Sequence, residues 1–342
     1  MTEKLEKCRI AVDAMGGDYA PKHEILGSLA ALKEDNSFEL ILVGDKDKIL
    51  ETARKENISL NEKLIYHASQ IIDMHDKPTE AIKTKQDSSL VVGAKLVKEG
   101  KADAFVSAGN TGAVAAISTL IMGRLPNVER PTIGSFIPST NNATFVFDVG
   151  AFVDVKPQHL LGYGVLAEIF VRELFNIPRP TVGLLNVGEE DEKGNKQVKE
   201  TALLLRESNL NFIGSVEGRD ILMGKSNIVL CDGFVGNILL KFGESVPGFM
   251  KHLLKQHSET SILEKIKIGL FKGTLKKALS PLNPELYGGV PLLGLNGISI
   301  IGHGSGSPLA IKNMVLRAKE MYDKNLLQKF EEALKAYAVP KK

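Results

Sequence analysis

The 342-residue sequence has few of the residues that build disulfide, zinc or membrane proteins. Its two cysteines, Cys8 and Cys231, have no short-spaced partner, which excludes a disulfide scaffold and a cysteine zinc site and favours a reducing, cytoplasmic environment. No apolar run is long enough to span a membrane, and the first ten residues mix charges where a signal peptide would be apolar. Because 43 basic residues nearly balance 41 acidic ones, the net charge gives no indication of a nucleic-acid partner.

The motifs of several common enzyme classes are also missing. The sequence has no Walker-type phosphate loop, no GxSxG turn for a serine nucleophile and no HExxH zinc motif. The stretch 162–167 fits GxGxxA, but it lies inside a helical pattern, whereas a dinucleotide fingerprint needs the turn between a strand and a helix. For Cys231, a lone nucleophile and a buried spectator thiol remain the alternatives, and the spectator is favoured.

What the sequence does contain is an alternation of short apolar runs with helical patterns, which predicts an α/β fold with a mainly parallel sheet flanked by helices. Apolar residues make up 43% of the chain, enough for a sizeable core. We predict strands over 9–14, 38–45, 64–69, 104–109, 132–137, 144–149, 181–188, 227–231 and 297–301. We predict helices over 21–32, 46–56, 88–100, 110–122, 157–175, 196–208, 234–257 and 307–336.

Five glycine-rich turns each follow one of these predicted strands, at 15–18, 107–112, 186–195, 231–237 and 301–307. Ligands of an open parallel sheet bind at the carboxyl ends of its strands. Turns at this place expose main-chain N–H groups, and the helices that follow begin with a partial positive charge, so together they suit an anion such as phosphate. The alternative is that glycine and alanine only permit tight packing of each strand on its helix.

Polar side chains on these turns are the candidates for chemistry. They are Asp13, Asp18, Asn110, Thr111, Lys193, Asp232, Asn237, His303 and Ser305. Several of the Asp and Asn residues can serve only to close turns, and Lys193 can be an ordinary solvated charge in its acidic loop. His303 lies between two glycines and is harder to explain by packing. Histidine is also a residue type that serves in proton transfer.

Six stretches of the sequence, in order, resemble the phosphate acyltransferase family. They are VDAMGGDYAP at 12–21, SAGNTGA at 107–113, VGLLNVGEEDEKGN at 182–195, VEGRD at 216–220, CDGFVGNILLK at 231–241 and YGGVPLLGLNG with IIGHGS within 287–305. The resemblance covers about residues 8–335. It implies a two-lobed fold similar to that of the isocitrate and isopropylmalate dehydrogenases, with residues 1–342 forming one catalytic unit.

The resemblance also implies an activity and its partners. Family members transfer an acyl group from acyl-acyl-carrier protein to inorganic phosphate, the step that begins bacterial phospholipid synthesis. Phosphate is itself a nucleophilic oxyanion, so the reaction needs no nucleophile from the enzyme, no metal and no cofactor. The expected partners are acyl-carrier protein, phosphate, a second copy of the chain, the inner face of the membrane and a downstream membrane glycerol-phosphate acyltransferase.

On this basis each turn receives a role. We assign phosphate binding to Gly109, Asn110, Thr111 and Gly112. In catalysis, Lys193 offsets negative charge, Asn237 donates to the thioester carbonyl oxygen and His303 handles a proton. Further pocket residues are Asp13, Gly16, Gly17, Asp18, Asp232, Gly233 and Ser305. A magnesium site at Asp13 and Asp18 is the less favoured alternative to a structural role in the loop.

Three positions depart from the family pattern. Phe152 stands where the family has asparagine, Ser215 stands where asparagine precedes the V-E pair, and the stretch 162–167 that ends at Ala167 lacks the usual glutamine–aromatic–alanine pattern. If the missing asparagines contact the substrate, the acyl preference or the activity itself changes. Because the other turns are intact, we expect a working enzyme with an altered neighbouring pocket.

The segment 251–285 is basic and amphipathic, with seven lysines against two glutamates over 251–277. Its apolar residues form two stripes with Gly269 and Gly273 between them, which suggests a broken helix or a hairpin. Two interpretations remain open: a helix that packs in the dimer, and a surface for the membrane or an acidic carrier protein. The surface residues would be Lys265, Phe271, Lys272, Leu275 and Lys276.

Two other functions compete with acyl transfer. A decarboxylating dehydrogenase would share the expected fold, but it needs an aspartate cluster for a metal and an arginine set for a hydroxy-dicarboxylate, and neither occurs as a compact motif. A non-catalytic scaffold that brings acyl-carrier protein to the membrane would account for Phe152 and for the basic segment.

Overall fold

A computed structural model describes residues 7–73, 76–280 and 284–336. The side chain of Lys276 lies outside the described part, as does the stretch 281–283 of the predicted basic segment. The strands are β1 Cys8–Asp13, β2 Phe38–Gly44, β3 Ile65–His67, β4 Ala104–Ser107, β5 Thr132–Ser139, β6 Asn142–Phe147, β7 Val182–Leu185, β8 Phe212–Val216, β9 Ile228–Leu230, β10 Val290–Leu293 and β11 Ile298–Ile301.

The helices alternate with these strands along the chain. They are α1 Lys22–Glu34, α2 Lys46–Lys55, α3 Pro78–Thr84, α4 Ser89–Lys98, α5 Thr111–Ile121, α6 Pro157–Phe175, α7 Lys196–Arg206, α8 Gly218–Met223, α9 Gly233–Ser258, α10 Ile262–Ala278, α11 Pro308–Asp323 and α12 Leu326–Ala336.

All the described strands belong to one sheet, in the order β3-β2-β1-β4-β11-β10-β5-β6-β9-β7-β8. The five strands from β3 to β11 are parallel to one another, and so are the four strands from β6 to β8. Antiparallel pairing of β11 with β10, β10 with β5 and β5 with β6 joins the two sets. The prediction of a mainly parallel α/β sheet is therefore confirmed, and the two parallel sets run in opposite directions.

Apolar side chains cover both faces of the sheet. Along β1, Ile10 and Val12 pack in the core layer formed with α1, α6, α11 and α12, whereas Ala11 packs in the layer formed with α4 and α5. Strand β4 shows the same alternation, because Phe105 faces the second layer and its neighbours on either side face the first. Burial on both faces accounts for the continuous apolar runs that the sequence shows in these strands.

Several predicted boundaries are wrong. The helix predicted over 307–336 is two helices, because Asn325 adopts a left-handed conformation (φ 52°) between α11 and α12. The interruption predicted at Gly269 and Gly273 is absent, since α10 runs through both residues. A hairpin does occur, but α9 and α10 form it and the chain turns at 259–261. The sequence also gave no sign of β8, β10, α3 or α8.

Candidate active site

Three of the five predicted turns lie together, and we call 15–18, 107–112 and 301–307 the first cluster. The Ser107 hydroxyl donates to Asp13 Oδ2 at 2.7 Å and accepts a hydrogen bond from the main-chain N–H of Gly109. The N–H of Asp18 donates to the carbonyl oxygen of Gly304 at 2.8 Å, which fixes the third turn to the first. A Cβ atom at Gly16 would lie 2.9 Å from the main-chain nitrogen of Gly109, so only glycine permits this close approach.

Asp13 is a structural centre of the first cluster. Its side chain is fully buried, and burial raises the pKa of this carboxyl against the lowering effect of hydrogen bonds from Ser89, Ser107 and the N–H of Met15. Both carboxylate oxygens accept hydrogen bonds within the protein. Across the described ranges, no group of three or more His, Cys, Asp or Glu side chains is arranged to hold a metal ion.

Asn110 begins helix α5. Its side-chain oxygen accepts a hydrogen bond from the N–H of Ala113 at 3.0 Å, which is an N-cap contact. Thr111 and Gly112, the first two residues of the helix, are exposed. Their N–H groups belong to the first turn, where a helix has no internal acceptors. The predicted phosphate-binding residues therefore form an open helix start, with the Asn110 oxygen already used for capping.

His303 lies at the surface of the first cluster and contacts Ser305. The main-chain N–H of Ser305 points to His303 Nδ1 at 3.3 Å, and the Ser305 hydroxyl lies 2.8 Å from the same nitrogen. A main-chain N–H can only donate, so Nδ1 acts as an acceptor and the proton of the neutral ring is on Nε2. In this arrangement Nε2–H is a hydrogen-bond donor available to a ligand.

Glu24 belongs to the first cluster but was not among the predicted residues. Its side chain is 2% exposed, and its Oε2 atom has no hydrogen-bond partner among the described residues. A Cβ atom at Gly17 would lie 2.3 Å from Glu24 Oε1, so the carboxyl group packs against the first turn. Burial, reinforced by the charges of Asp13 and Asp18, raises the pKa of Glu24 to about 7.

The two other turns, 186–195 and 231–237, follow the neighbouring parallel strands β7 and β9, and together with 148–152, which follows β6, we call them the second cluster. Its centre is the buried Asp148, whose carboxylate accepts the main-chain N–H groups of Ile133, Gly150, Ala151 and Phe152 at 2.9–3.2 Å. Burial raises the pKa of Asp148, and these four hydrogen bonds oppose the rise. The carboxylate fixes the path of the chain from β6 into the segment that ends at Phe152.

Helix α9 packs its first turn against this segment. Asp232 caps the helix by accepting from the N–H of Val235 at 2.9 Å, and the N–H of Gly233 donates to the carbonyl oxygen of Phe152 at 3.0 Å. Gly150 has a φ of 133°, and a Cβ atom there would lie 3.3 Å from the side chain of Asn237. The exposed Asn237 amide is thus held beside the turn that follows β6.

The third turn of the second cluster presents Lys193. Asn186 shapes this turn by donating to the carbonyl oxygen of Lys193 at 3.3 Å and to the Ser215 hydroxyl at 3.2 Å. Gly194 adopts a φ of 92°, a conformation that favours glycine. The Lys193 side chain is exposed and makes no ion pair with any described residue. A lysine without an internal counter-charge can neutralise a bound anion.

The three positions that we expect to depart from the family pattern have different surroundings. Ser215 supports the Lys193 turn through its contact with Asn186. Ala167 is fully buried in α6, within the core. Phe152 lies at the surface of the second cluster, where the guanidinium carbon of Arg130 stands 4.6 Å from the centre of its ring.

Cys231 is buried in the second cluster. Its thiol donates to the carbonyl oxygen of Asp148 at 3.3 Å, and burial raises its pKa well above the usual value. A thiol that does not ionise is a poor nucleophile. The spectator role is the one that this environment supports.

The helical hairpin, our name for α9 and α10 together, leaves a large apolar surface uncovered. Leu270 is 77% exposed and Phe271 is 63% exposed, and the other apolar residues above one-third exposure include Ile238, Phe242, Phe249, Ile262, Leu263 and Ile266. Lys265 and Lys272 are exposed beside them, whereas Leu275 is half-buried. Of the described helices, none is both long and apolar enough to cross a membrane.

The fold is that of the phosphotransacylases. A phosphotransacetylase from Streptococcus pyogenes superposes with a TM-score of 0.59 at 17% identity, over 93% of this chain and 94% of that one. A 4-hydroxythreonine-4-phosphate dehydrogenase from Klebsiella pneumoniae superposes with a TM-score of 0.53 at 13% identity, over 92% and 98% of the two chains. The predicted relation to a dehydrogenase-like fold is confirmed at the level of architecture.

Sequence comparison gives the family. Residues 8–329 match the family described as "Fatty acid synthesis protein". A phosphate acyltransferase from Chlorobaculum parvum is 46% identical over 336 residues, which cover 95% of this chain and 98% of that protein. The chain therefore belongs to the phosphate acyltransferase family, as its motifs indicated.

Proposed function

We propose that this protein transfers an acyl group from acyl-acyl-carrier protein to inorganic phosphate and releases acyl phosphate and the free carrier protein. The observation that carries the proposal is the open start of helix α5, where the exposed Thr111 and Gly112 follow a capping Asn110 in a cluster of three joined turns. Main-chain N–H groups at a helix start bind phosphate without further help. Phosphate as the acceptor of the acyl group agrees with the name of the phosphate acyltransferase family, to which the chain belongs.

The proposed reaction needs groups from both clusters, and within the described ranges no hydrogen bond or ion pair joins them. The twist of the sheet supports a shared cleft. Five steps separate β4 from β9, and at about 20–25° per step the strand direction turns by roughly 100–125°. Because the two parallel sets start out opposed, a rotation of this size would turn their carboxyl ends toward one another, and we propose that the two clusters line one cleft.

In this cleft the chemistry requires positioning and charge neutralisation. Phosphate at the start of α5 attacks the thioester carbonyl carbon, and the carbon–sulfur bond breaks to release the pantetheine thiolate, which is then protonated. Lys193 neutralises charge on phosphate or on the developing oxyanion, and Asn237 donates to that oxyanion. His303, which carries its proton on Nε2, lies on a turn of the same cluster as the start of α5 and is the proposed proton donor. A single oxyanion donor contributes about 3–4 kcal/mol to such a step.

The experiment that tests the activity traps its product. Acyl-acyl-carrier protein and phosphate are incubated with the protein, and hydroxylamine converts acyl phosphate to a hydroxamate. We expect hydroxamate only when both substrates and the protein are present. A protein that binds the carrier protein without forming hydroxamate would be the scaffold of the alternative interpretation. If the protein changes the absorbance of an added nicotinamide cofactor in the presence of a hydroxy-dicarboxylate, the dehydrogenase interpretation is favoured.

We further propose that other molecules cover the exposed apolar surface of the helical hairpin in the working protein. A second copy of the chain covers one part, and a membrane or the carrier protein covers the part that carries the lysines. The supporting observation is the row of exposed apolar residues from Ile262 to Phe271 beside lysines. Contiguous apolar patches of this kind mark interaction sites. The downstream membrane acyltransferase would receive acyl phosphate at the same surface.

Two exposed residues of the helical hairpin, Leu270 and Phe271, provide the test because changing them leaves the core intact. The Leu270→Asp/Phe271→Asp variant should lose binding to vesicles that contain anionic lipid while remaining folded. Light scattering of the same variant reports whether the dimer persists. If the variant binds vesicles as well as the wild type does, the membrane role is contradicted. If light scattering gives the variant the same molar mass as the wild type, these two residues do not form the dimer contact.

A further inference from the structure

Arg130 contacts the second cluster through Phe152, and no carboxylate of the described residues pairs with it. It is exposed, and among the described residues it makes no ion pair. Its neighbour Glu129 pairs with His159 at 2.9 Å rather than with Arg130. The guanidinium group instead lies over the ring of Phe152, with 4.6 Å between the guanidinium carbon and the ring centre.

The chain on both sides of this stacked pair is bound to one buried carboxylate, that of Asp148. Phe152 donates its main-chain N–H to Asp148 Oδ2 at 2.9 Å, and Ile133, three residues after Arg130, donates its N–H to Asp148 Oδ1 at 3.2 Å. The carbonyl oxygen of Phe152 also accepts the N–H of Gly233 at the start of α9. Arg130 is therefore held at the turns that present the candidate catalytic groups of the second cluster.

A buried hydroxyl on helix α6 is the second observation. Tyr163 is 1% exposed, and its hydroxyl has no hydrogen-bond partner among the described residues. Burial raises the pKa of Tyr163 far above its usual value, the charge of Asp148 adds to the rise, and the positive charge of Arg130 opposes it. A buried hydroxyl without a partner requires water or a ligand to satisfy it.

We propose that Arg130 binds a phosphoryl group of a substrate at the second cluster, and that Phe152 is the positioning residue that holds the guanidinium in place. A planar guanidinium offers paired N–H donors that match two phosphoryl oxygens, and its flat face stacks on an aromatic ring. The ring thus gives Phe152 a role at a position that we expect to depart from the family pattern. The identity of the phosphoryl group rests on the proposed function: it is either inorganic phosphate or the phosphodiester of the carrier arm.

The test compares Arg130→Ala and Arg130→Lys with Arg179→Ala as the matched control. Arg179 is an exposed arginine that precedes β7, so it lies at the other end of that strand from the Lys193 turn. Binding of inorganic phosphate is measured by broadening of its ³¹P resonance, which needs no activity. We expect Arg130→Ala to weaken phosphate binding at least tenfold, Arg130→Lys to recover part of it and the control to match the wild type.

Steady-state kinetics then distinguishes the two phosphoryl sources. A higher KM for phosphate with kcat little changed identifies inorganic phosphate. The carrier arm is identified if Arg130→Ala raises the KM for acyl-acyl-carrier protein but leaves unchanged the KM for an acyl-N-acetylcysteamine, which lacks the phosphodiester. If Arg130→Ala leaves phosphate binding and both KM values at wild-type levels, the inference is overturned.

Phe152 variants separate positioning from simple structural support. Phe152→Ala should raise the same KM as Arg130→Ala, whereas Phe152→Tyr, which keeps the ring, should preserve it. Equal KM values for Phe152→Ala and the wild type would overturn the positioning role. If the wild-type protein forms no acyl phosphate but its phosphate binding still depends on Arg130, the proposed function fails and the anion site stands.

Discussion

Replacing Glu24 with glutamine should stabilise the protein at neutral and alkaline pH. The Glu24 carboxyl is buried against Gly17, one of its oxygens has no partner among the described residues, and the charges of Asp13 and Asp18 disfavour its ionisation. Glutamine has nearly the same shape and cannot ionise. The substitution therefore removes the cost of a buried negative charge while it keeps the packing of α1.

The magnitude follows from the pKa of the carboxyl, which rises from 4.5 to about 7 on folding. The folded protein holds the proton up to about pH 7, while the unfolded chain releases it near pH 4.5. Glu24 therefore lowers the free energy of unfolding as the pH rises between these values. At about 1.4 kcal/mol for each pKa unit, the loss reaches about 3 kcal/mol above pH 7.

Urea unfolding at pH 4.5, 6 and 8 measures this effect. Glu24→Gln should match the wild type at pH 4.5 and exceed its free energy of unfolding by about 3 kcal/mol at pH 8. Glu39→Gln is the control, because Glu39 is exposed on strand β2. A wild type and a Glu24→Gln variant with parallel pH profiles would refute the claim that Glu24 is neutral in the folded protein below pH 7.

Two further predictions concern the second cluster. Lys193→Ala should lower kcat at least a hundredfold, equivalent to about 2.7 kcal/mol, because it removes an exposed positive charge that has no ion-pair partner among the described residues. The control is Lys196→Ala, which removes a lysine paired with Glu200 and should retain most of the activity. Equal rates for both variants would contradict the role of Lys193. Gly236→Ala should lower the free energy of unfolding by about 2 kcal/mol or more, because the new Cβ atom would lie 1.8 Å from the main-chain oxygen of Asp148. The control is Gly243→Ala in the same helix, where the space is open, and thermal unfolding should show it to be neutral or stabilising.

The turns of the first cluster could be predicted because their signals are local. A strand, a small-residue turn and an asparagine cap are contiguous in the sequence around Asn110, and the structure has them in that order. Strand β10 was missed for an equally local reason. Its four residues include Pro291 and follow Gly288 and Gly289, both with positive φ, so turn signals hid a short antiparallel strand.

The centres of both clusters depend on contacts that sequence spacing does not reveal. Asp148 acts through Ile133, which β5–β6 pairing brings beside it, and Arg130 reaches Phe152 through the same pairing. Glu24 is only seven residues from Gly17, yet a charged residue near a helix start ordinarily faces solvent. Its burial results from the packing of α1 on α11, which brings together parts of the chain almost three hundred residues apart.

The fate of labelled phosphate distinguishes acyl transfer to phosphate from hydrolysis of the thioester. Acyl-acyl-carrier protein and phosphate labelled with ¹⁸O in all four positions are mixed with the protein, and the products are examined by mass spectrometry while the freed carrier thiol is titrated. The account predicts acyl phosphate that retains all four labelled oxygens, formed in equal amount to the thiol. Thiol release accompanied by free fatty acid, or no release when phosphate is present, would contradict it.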